Sequence, residues 1–214
     1  MYLSRVEFNF DARSRNARAA MRALGSPQII HAVIEGAMPP YTGDKPRSLW
    51  RVDELGEHTY LLLLSRDKPD LTRFVEQFGY DGGGWETRDY APFLERLADG
   101  QRWRFRLQAN PTKSAGRERG AARERGDVVP LIASQFDAWL TKAASRNGFT
   151  VSDARFTERG VMEFGRDGRT VTINTARFEG ILTIEDVGAF RAAMTNGIGR
   201  GKAYGCGLLT LARP

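Results

Sequence analysis

Hydrophobic and polar residues along this chain switch between two rhythms. From Tyr2 to Phe10, Leu3, Val6 and Phe8 stand among polar neighbours, the pattern of a half-buried strand. Arg13 to Leu24 reads as a basic helix, with Arg15, Arg18 and Arg22 at helical spacing, and Gly25 breaks it. Ser26 and Pro27 restart a helix as N-cap and first helical residue. Ile30, Val33, Ile34 and Ala37 give that helix an apolar face. Leu49 to Leu55 and Thr59 to Ser65 read as two strands around Gly56-Glu57-His58, Asp70 to Phe78 as a helix, Tyr80 to Gly84 as a loop, and Trp85 onward as an edge strand. The order β-α-β-β-α-β over residues 1–95 is that of a ferredoxin-like domain.

The second half repeats the theme. Between Gln101 and Ala109, Trp103, Phe105 and Leu107 alternate with Arg102, Arg104 and Arg106, so one face is expected to pack and the other to show a row of guanidiniums. Asn110-Pro111 ends this strand. Lys113 to Asp127 holds the near-repeat Gly-Arg-Glu-Arg-Gly and Ala-Arg-Glu-Arg-Gly with almost no large apolar residue, and is read as a loop. Leu131 to Arg146 is expected to be a helix with Ile132, Phe136, Trp139 and Leu140 on its core face. Strands follow around Phe149 to Phe156, Val161 to Phe164, Thr170 to Phe178 and Ile181 to Ile184, with a hairpin turn at Gly165-Arg166-Asp167-Gly168. Asp186 caps a last helix, Val187 to Met194; a glycine-rich segment and a strand, Leu208 to Leu211, close the chain. The expected class is therefore α+β: tandem ferredoxin-like (RRM-like) domains, residues 1–95 and 96–214, with a C-terminal glycine-rich loop.

Charge narrows the partner. The net charge is +6, and Arg102 to Arg125 alone supplies an excess of that size, with eight basic residues against Glu118 and Glu124. A local positive field of this kind suits a polyanion. Two histidines and one cysteine cannot make a Cys/His zinc site by themselves, and HExxH, EF-hand and DxD patterns are missing, so neither metal nor other cofactor is expected. The apolar runs are too short for a membrane span. Met1 to Val6 reads directly into a strand, so no signal peptide and a cytoplasmic location are expected, and the lone Cys206 rules out an internal disulfide.

Three features can carry chemistry. Gly197 to Gly207 has five glycines, which let backbone N–H groups and an anion approach closely, with Arg200 and Lys202 adding charge. Ala203 after Lys202 excludes a Walker A loop, and the position after a helix and before a strand excludes a dinucleotide fingerprint. The alternative is a connection that uses glycine for turn geometry alone. His31 lies at the edge of the apolar face of its helix, where it is either an ordinary boundary histidine or a general acid–base group for RNA cleavage. Arg104 and Arg106, the loop residues Lys113, Arg117 and Arg119, and the hairpin tip with Arg166 and Arg169 are phosphate-binding candidates, or else solvated surface. The aromatic pair of an RNA-recognition motif is missing from both strands of the first domain, so recognition through RNA shape and phosphate is expected rather than base stacking on a sheet.

Four segments together resemble a known family. They are Met1-Tyr2-Leu3-Ser4-Arg5, the run from Arg104 to Lys113 (RFRLQANPTK), the run from Arg177 to Ile184 (RFEGILTI), and the run from Gly197 to Leu209 (GIGRGKAYGCGLL). In that order they are similar to CasE, the CRISPR repeat-processing endoribonuclease of the type I-E Cascade complex, over essentially the whole length. The resemblance implies two ferredoxin-like domains and a CRISPR repeat RNA hairpin as substrate. It implies metal-independent cleavage at the 3′ base of the stem by 2′-hydroxyl attack, leaving a 2′,3′-cyclic phosphate and a 5′-hydroxyl, and retention of the product with other Cascade subunits as partners. Only His31 matches the place of the family's catalytic histidine. It also implies an RNA-binding role for Gly199, Arg200, Gly201, Lys202, Gly205 and Gly207. The family carries a tyrosine three residues before the histidine, where this chain has Gln28. An amide cannot transfer a proton as a phenol can, so Tyr41 and Tyr204 enter as substitutes, and a non-catalytic hairpin-binding subunit is the alternative function.

Overall fold

The computed structural model describes residues 1–43, 46–114, 128–166 and 169–214, with the backbone alone at 166 and 169. Arg117, Arg119 and most of the basic loop lie outside the described residues.

The first half builds β1 (Tyr2–Glu7), α1 (Arg15–Gly25), α2 (Pro27–Gly36), β2 (Leu49–Leu55), β3 (His58–Ser65), α3 (Thr72–Phe78) and β4 (Trp85–Asp89). Its antiparallel sheet has the order β2-β3-β1-β4, the ferredoxin-like topology the sequence predicts. Each boundary has a local cause. Ser14 accepts from Asn16 N–H at the start of α1, Pro27 opens α2, and Asp70 accepts from Thr72 N–H to start α3 two residues later than the periodicity indicates. Val6, Phe8, Ile30, Ile34, Leu61, Leu63 and Phe74 form the core beneath these helices, while Arg15, Arg18 and Arg22 stay exposed.

The second half repeats the plan. A short helix, α4 (Ala91–Glu95), precedes β5 (Arg102–Ala109); a ribbon of β6 (Thr112–Ser114) and β7 (Val128–Pro130) brackets the basic loop; α5 (Phe136–Arg146), β8 (Phe149–Arg166), β9 (Arg169–Ile184), α6 (Val187–Asn196) and β10 (Leu209–Ala212) follow. The sheet order β10-β5-β9-β8 is again the ferredoxin order with an inserted ribbon. Two expectations are corrected. The four short strands expected between Phe149 and Ile184 merge into the two long strands β8 and β9, because the register absorbs irregularities at Ser152/Arg155 and Phe156/Glu158 without breaking the ladder. Ile132 is 61% exposed because α5 starts only at Phe136, after a 3-10 turn at Ala133–Gln135; Phe136 and Leu140 are buried as expected. Leu94 and Leu97 join Phe105, Leu107, Phe136, Phe178 and Phe190 in the second core.

The two sheets meet along a polar seam. Arg51 on β2 is only 1% exposed. Its Nε and Nη2 donate to the Asp53 carboxylate at 2.7 Å each, and Nη2 also donates to Thr210 Oγ1 at 2.7 Å. Nη1 donates to the carbonyls of Leu208 at 2.8 Å and Arg106 at 3.0 Å. Arg177 of β9 reaches back to the Val52 carbonyl at 3.2 Å. One strand of the first domain is thus tied to three strands of the second.

Candidate nucleic-acid interface and active site

The glycine-rich segment lies along this seam. All five of its glycines at 197, 199, 201, 205 and 207 have positive φ, a region that side chains other than glycine enter at a cost. Its far half is packed inward: Gly205, Cys206 and Gly207 are buried. Gly207 N–H donates to the Gln108 carbonyl at 2.7 Å, and Ile198 N–H to the Gly207 carbonyl at 3.0 Å. Trp50 Nε1 donates to the Ala203 carbonyl at 3.3 Å, and a Cβ on Gly205 would lie 2.9 Å from the Trp50 ring. Gly205 therefore lets the loop lie flat against the first domain. Gly205→Ala is expected to destabilise the protein by at least ~1–2 kcal/mol from the left-handed backbone alone, with displacement of Trp50 added. A thermal midpoint equal to that of the unmodified protein would contradict this.

The near half faces outward. Gly199 and Arg200 are exposed, Gly201 and Lys202 half-buried, and the backbone of Arg200 bridges to that of Asn110. Burial, and then the nearby charge of Arg47, holds the Lys202 ammonium below the ordinary lysine value. Cys206 is fully buried and its thiol is pushed up to about 12 by that burial.

His31, on α2, meets this loop. It is half-buried, at the edge of the face that carries Ile30 and Ile34, and its ring stands edge-on to Tyr204 with centroids 6.3 Å apart. Tyr204 lies in a 3-10 turn, Lys202–Tyr204, and its ring also lies 4.6 Å from that of Phe164 on the hairpin shaft. Phe164, Ile173 and Cys206 share one small core there. The fold thus brings together helix, glycine loop and hairpin, three features far apart in the chain. Tyr204 is the tyrosine beside His31; the Tyr41 hydroxyl donates to Asp67 at 2.8 Å instead, and burial followed by that carboxylate raises its pKa. Gln28 is exposed one turn before His31. Beneath Tyr204 a cavity of about 280 Å3 opens between Trp50, Val52, Gln108, Met162 and Arg177.

The basic candidates divide. Arg104 is exposed on β5. Arg106, expected in the same row, turns into the seam: its Nε donates to Glu179 at 2.6 Å and its Nη1 lies 3.4 Å from Asp53. The row is therefore broken where the first domain docks on β5. Lys113 is exposed on the ribbon, and Arg166 pairs with Arg169 in register at the hairpin end. Sequence reasoning missed Trp50, Arg51, Asp53 and Arg177. A signal existed: Arg51 and Asp53 are opposite charges two apart, on one strand face, alternating with the apolar Trp50 and Val52.

A family model described as "CRISPR associated protein" matches residues 1–213. The chain belongs to this family. A Thermus thermophilus relative, "CRISPR-associated endoribonuclease Cse3", is 29% identical over 211 residues, which is 92% of this chain and 94% of the relative. "CRISPR system Cascade subunit CasE" of Escherichia coli K12 is 39% identical over 114 residues, 50% of this chain and 56% of that protein. A solved structure, "CRISPR endoribonuclease Cse3 bound to 19 nt RNA", superposes with a TM-score of 0.79 at 27% identity, covering 99% of this chain and all of that one. The likeness to CasE read from four segments is borne out, as is the tandem ferredoxin-like fold. No helix among the described residues is long and apolar enough to cross a membrane.

Proposed function

We propose that the protein is a metal-independent endoribonuclease of CRISPR RNA processing. It binds the repeat stem-loop, cleaves the precursor at the 3′ base of the stem, and keeps the crRNA within a Cascade assembly. The observation that carries the reading is the pairing of His31 with Tyr204 at the outward half of a glycine loop bearing Arg200 and Lys202. His31 takes the proton from the 2′-hydroxyl, whose oxygen attacks the adjacent phosphorus. The bond from phosphorus to the 5′-oxygen breaks, and that oxygen leaves with a proton supplied by a second group, for which Tyr204 is the candidate. Arg200 and Lys202 offset the charge that builds on the phosphoryl oxygens. The products are a 2′,3′-cyclic phosphate and a 5′-hydroxyl. Arg104 and the hairpin residues Arg166 and Arg169 hold the stem by its phosphates. Relatives bearing the names endoribonuclease and Cascade subunit support this reading.

The test is cleavage of the protein's own repeat RNA with end-group analysis. Cutting is expected to persist in EDTA and to stop when the nucleotide 5′ to the scissile bond is 2′-deoxy. Cleavage that EDTA abolishes, or that survives the deoxy substitution, would overturn the chemistry. A second reading rests on Gln28, which cannot serve as a phenolic proton donor: a hairpin-binding subunit that leaves RNA whole. Binding of the hairpin with no cut ends after long incubation would decide for it.

A further inference from the structure

At the Ile198–Gly199 end of the glycine loop, a groove of about 740 Å3 runs between α5 and strand β6 of the ribbon. Gly199 belongs to its wall, and a Cβ there would already touch the Trp139 ring at 3.4 Å. Lys113 enters from the ribbon; Lys142 and Arg146 enter from α5. All three cations are exposed, and among the described residues none has an ion-pair partner and no carboxylate lines the groove. Lys142 and Arg146 are four apart on one helix face, where like charges repel and weaken the helix. Arg146 in the last turn suits the negative helix end, but Lys142 lies a turn earlier and Lys113 comes from another element. The half-buried Trp139, stacked on Phe178 at 5.8 Å, gives the groove an apolar side. Cations on the rim of a groove with an aromatic wall fit a single strand of nucleic acid, whose phosphates and bases alternate along its length.

We propose that this groove binds the unpaired RNA that continues 3′ of the scissile phosphate. The inference rests on the endoribonuclease reading: the groove shares Gly199 with the loop whose Tyr204 stands beside His31, so a strand leaving His31 along that loop enters it. Lys142 and Arg146 thereby become substrate-positioning residues that contact the flank rather than the stem.

The test measures affinity for three uncleavable, 2′-deoxy-blocked RNAs: a repeat hairpin ending at the scissile nucleotide, the same hairpin with its 3′ flank, and one with a 5′ flank only. The unmodified protein is expected to bind the 3′-flanked RNA at least about fivefold more tightly than the bare hairpin. Lys142→Glu/Arg146→Glu should abolish that gain, leave the bare hairpin within about twofold, and flatten the salt dependence of the 3′-flanked RNA alone. Equal weakening of all three RNAs, a gain carried by the 5′ flank, or a variant that keeps the gain would overturn the proposal. Failure of the unmodified protein to bind the bare hairpin would instead overturn the endoribonuclease reading, and this proposal with it.

Discussion

Replacing His31 by alanine is expected to slow cleavage of the repeat hairpin by roughly 10²- to 10⁴-fold, the range a positioned acid–base group supplies. Affinity for uncleaved RNA should change by no more than a few fold. The two effects separate because His31 comes from α2, while the cations proposed to hold the stem come from the second domain. His31 is half-buried and its apolar neighbours Ile30 and Ile34 carry the helix packing, so the variant should fold. Single-turnover kinetics on a labelled hairpin, with a parallel binding titration, would check this. Cleavage by His31→Ala at the rate of the unmodified protein would remove His31 from the mechanism. Tyr204→Phe, assayed alongside, keeps the ring that packs on Phe164 and removes only the hydroxyl.

The largest expected effect on stability is at Arg51. Arg51→Met leaves Asp53 short of its main partner and strips the Leu208 and Arg106 carbonyls of a donor. Breaking a buried pair by removing one member typically costs about 3–5 kcal/mol, which for a chain of this size lowers the thermal midpoint on the order of 10 °C. The double variant Arg51→Met/Asp53→Leu should recover part of that loss, because it leaves no lone carboxylate behind. Burial alone raises Asp53, yet the hydrogen bonds and charge of Arg51, with the charges of Arg106 and Arg177, hold it below the ordinary carboxylate value. Burial of Arg51 itself outweighs its partners and lowers its pKa. The two shifts disagree on whether the pair is a net gain, and the desolvation of Arg51 argues that it fixes domain register more than it adds stability. The Asp53 contribution is complete above its unfolded value, about 3.9, and is lost as pH falls through its lower folded value. Acid titration of the double variant should lack that component. A double variant less stable than Arg51→Met alone would contradict the argument.

Much of this was legible in the sequence, for reasons that differ by element. Alternation in Tyr2 to Phe10 and the Ser26-Pro27 start of α2 are local signals, so strand, helix and both ferredoxin orders could be read directly. The long β8/β9 hairpin reads as four pieces because the polar run Thr157 to Gly160 on one strand and Glu179-Gly180 on the other interrupt the apolar pattern locally, while the partner strand keeps the ladder whole. The fate of Arg106 could not be read at all. Its alternation matches that of Arg104, and only the docking of β2 across β5 distinguishes them. The same holds for the meeting of His31 with Tyr204, which depends on how two domains settle and on no pattern within either. Lys142 and Arg146 were hidden for the opposite reason: on a single helix, two exposed cations are ordinary, and the groove exists only because the ribbon faces them.

The buried thiol in the glycine loop has a practical consequence. Cys206 is the chain's single cysteine, sealed between the hairpin shaft and the domain seam and held in its unreactive protonated form. Nature has therefore installed one chemical label, with no background, at the place where both halves of the molecule and the hairpin converge. Its rate of alkylation clocks how often that junction breathes open, with RNA bound or free, without any engineered probe.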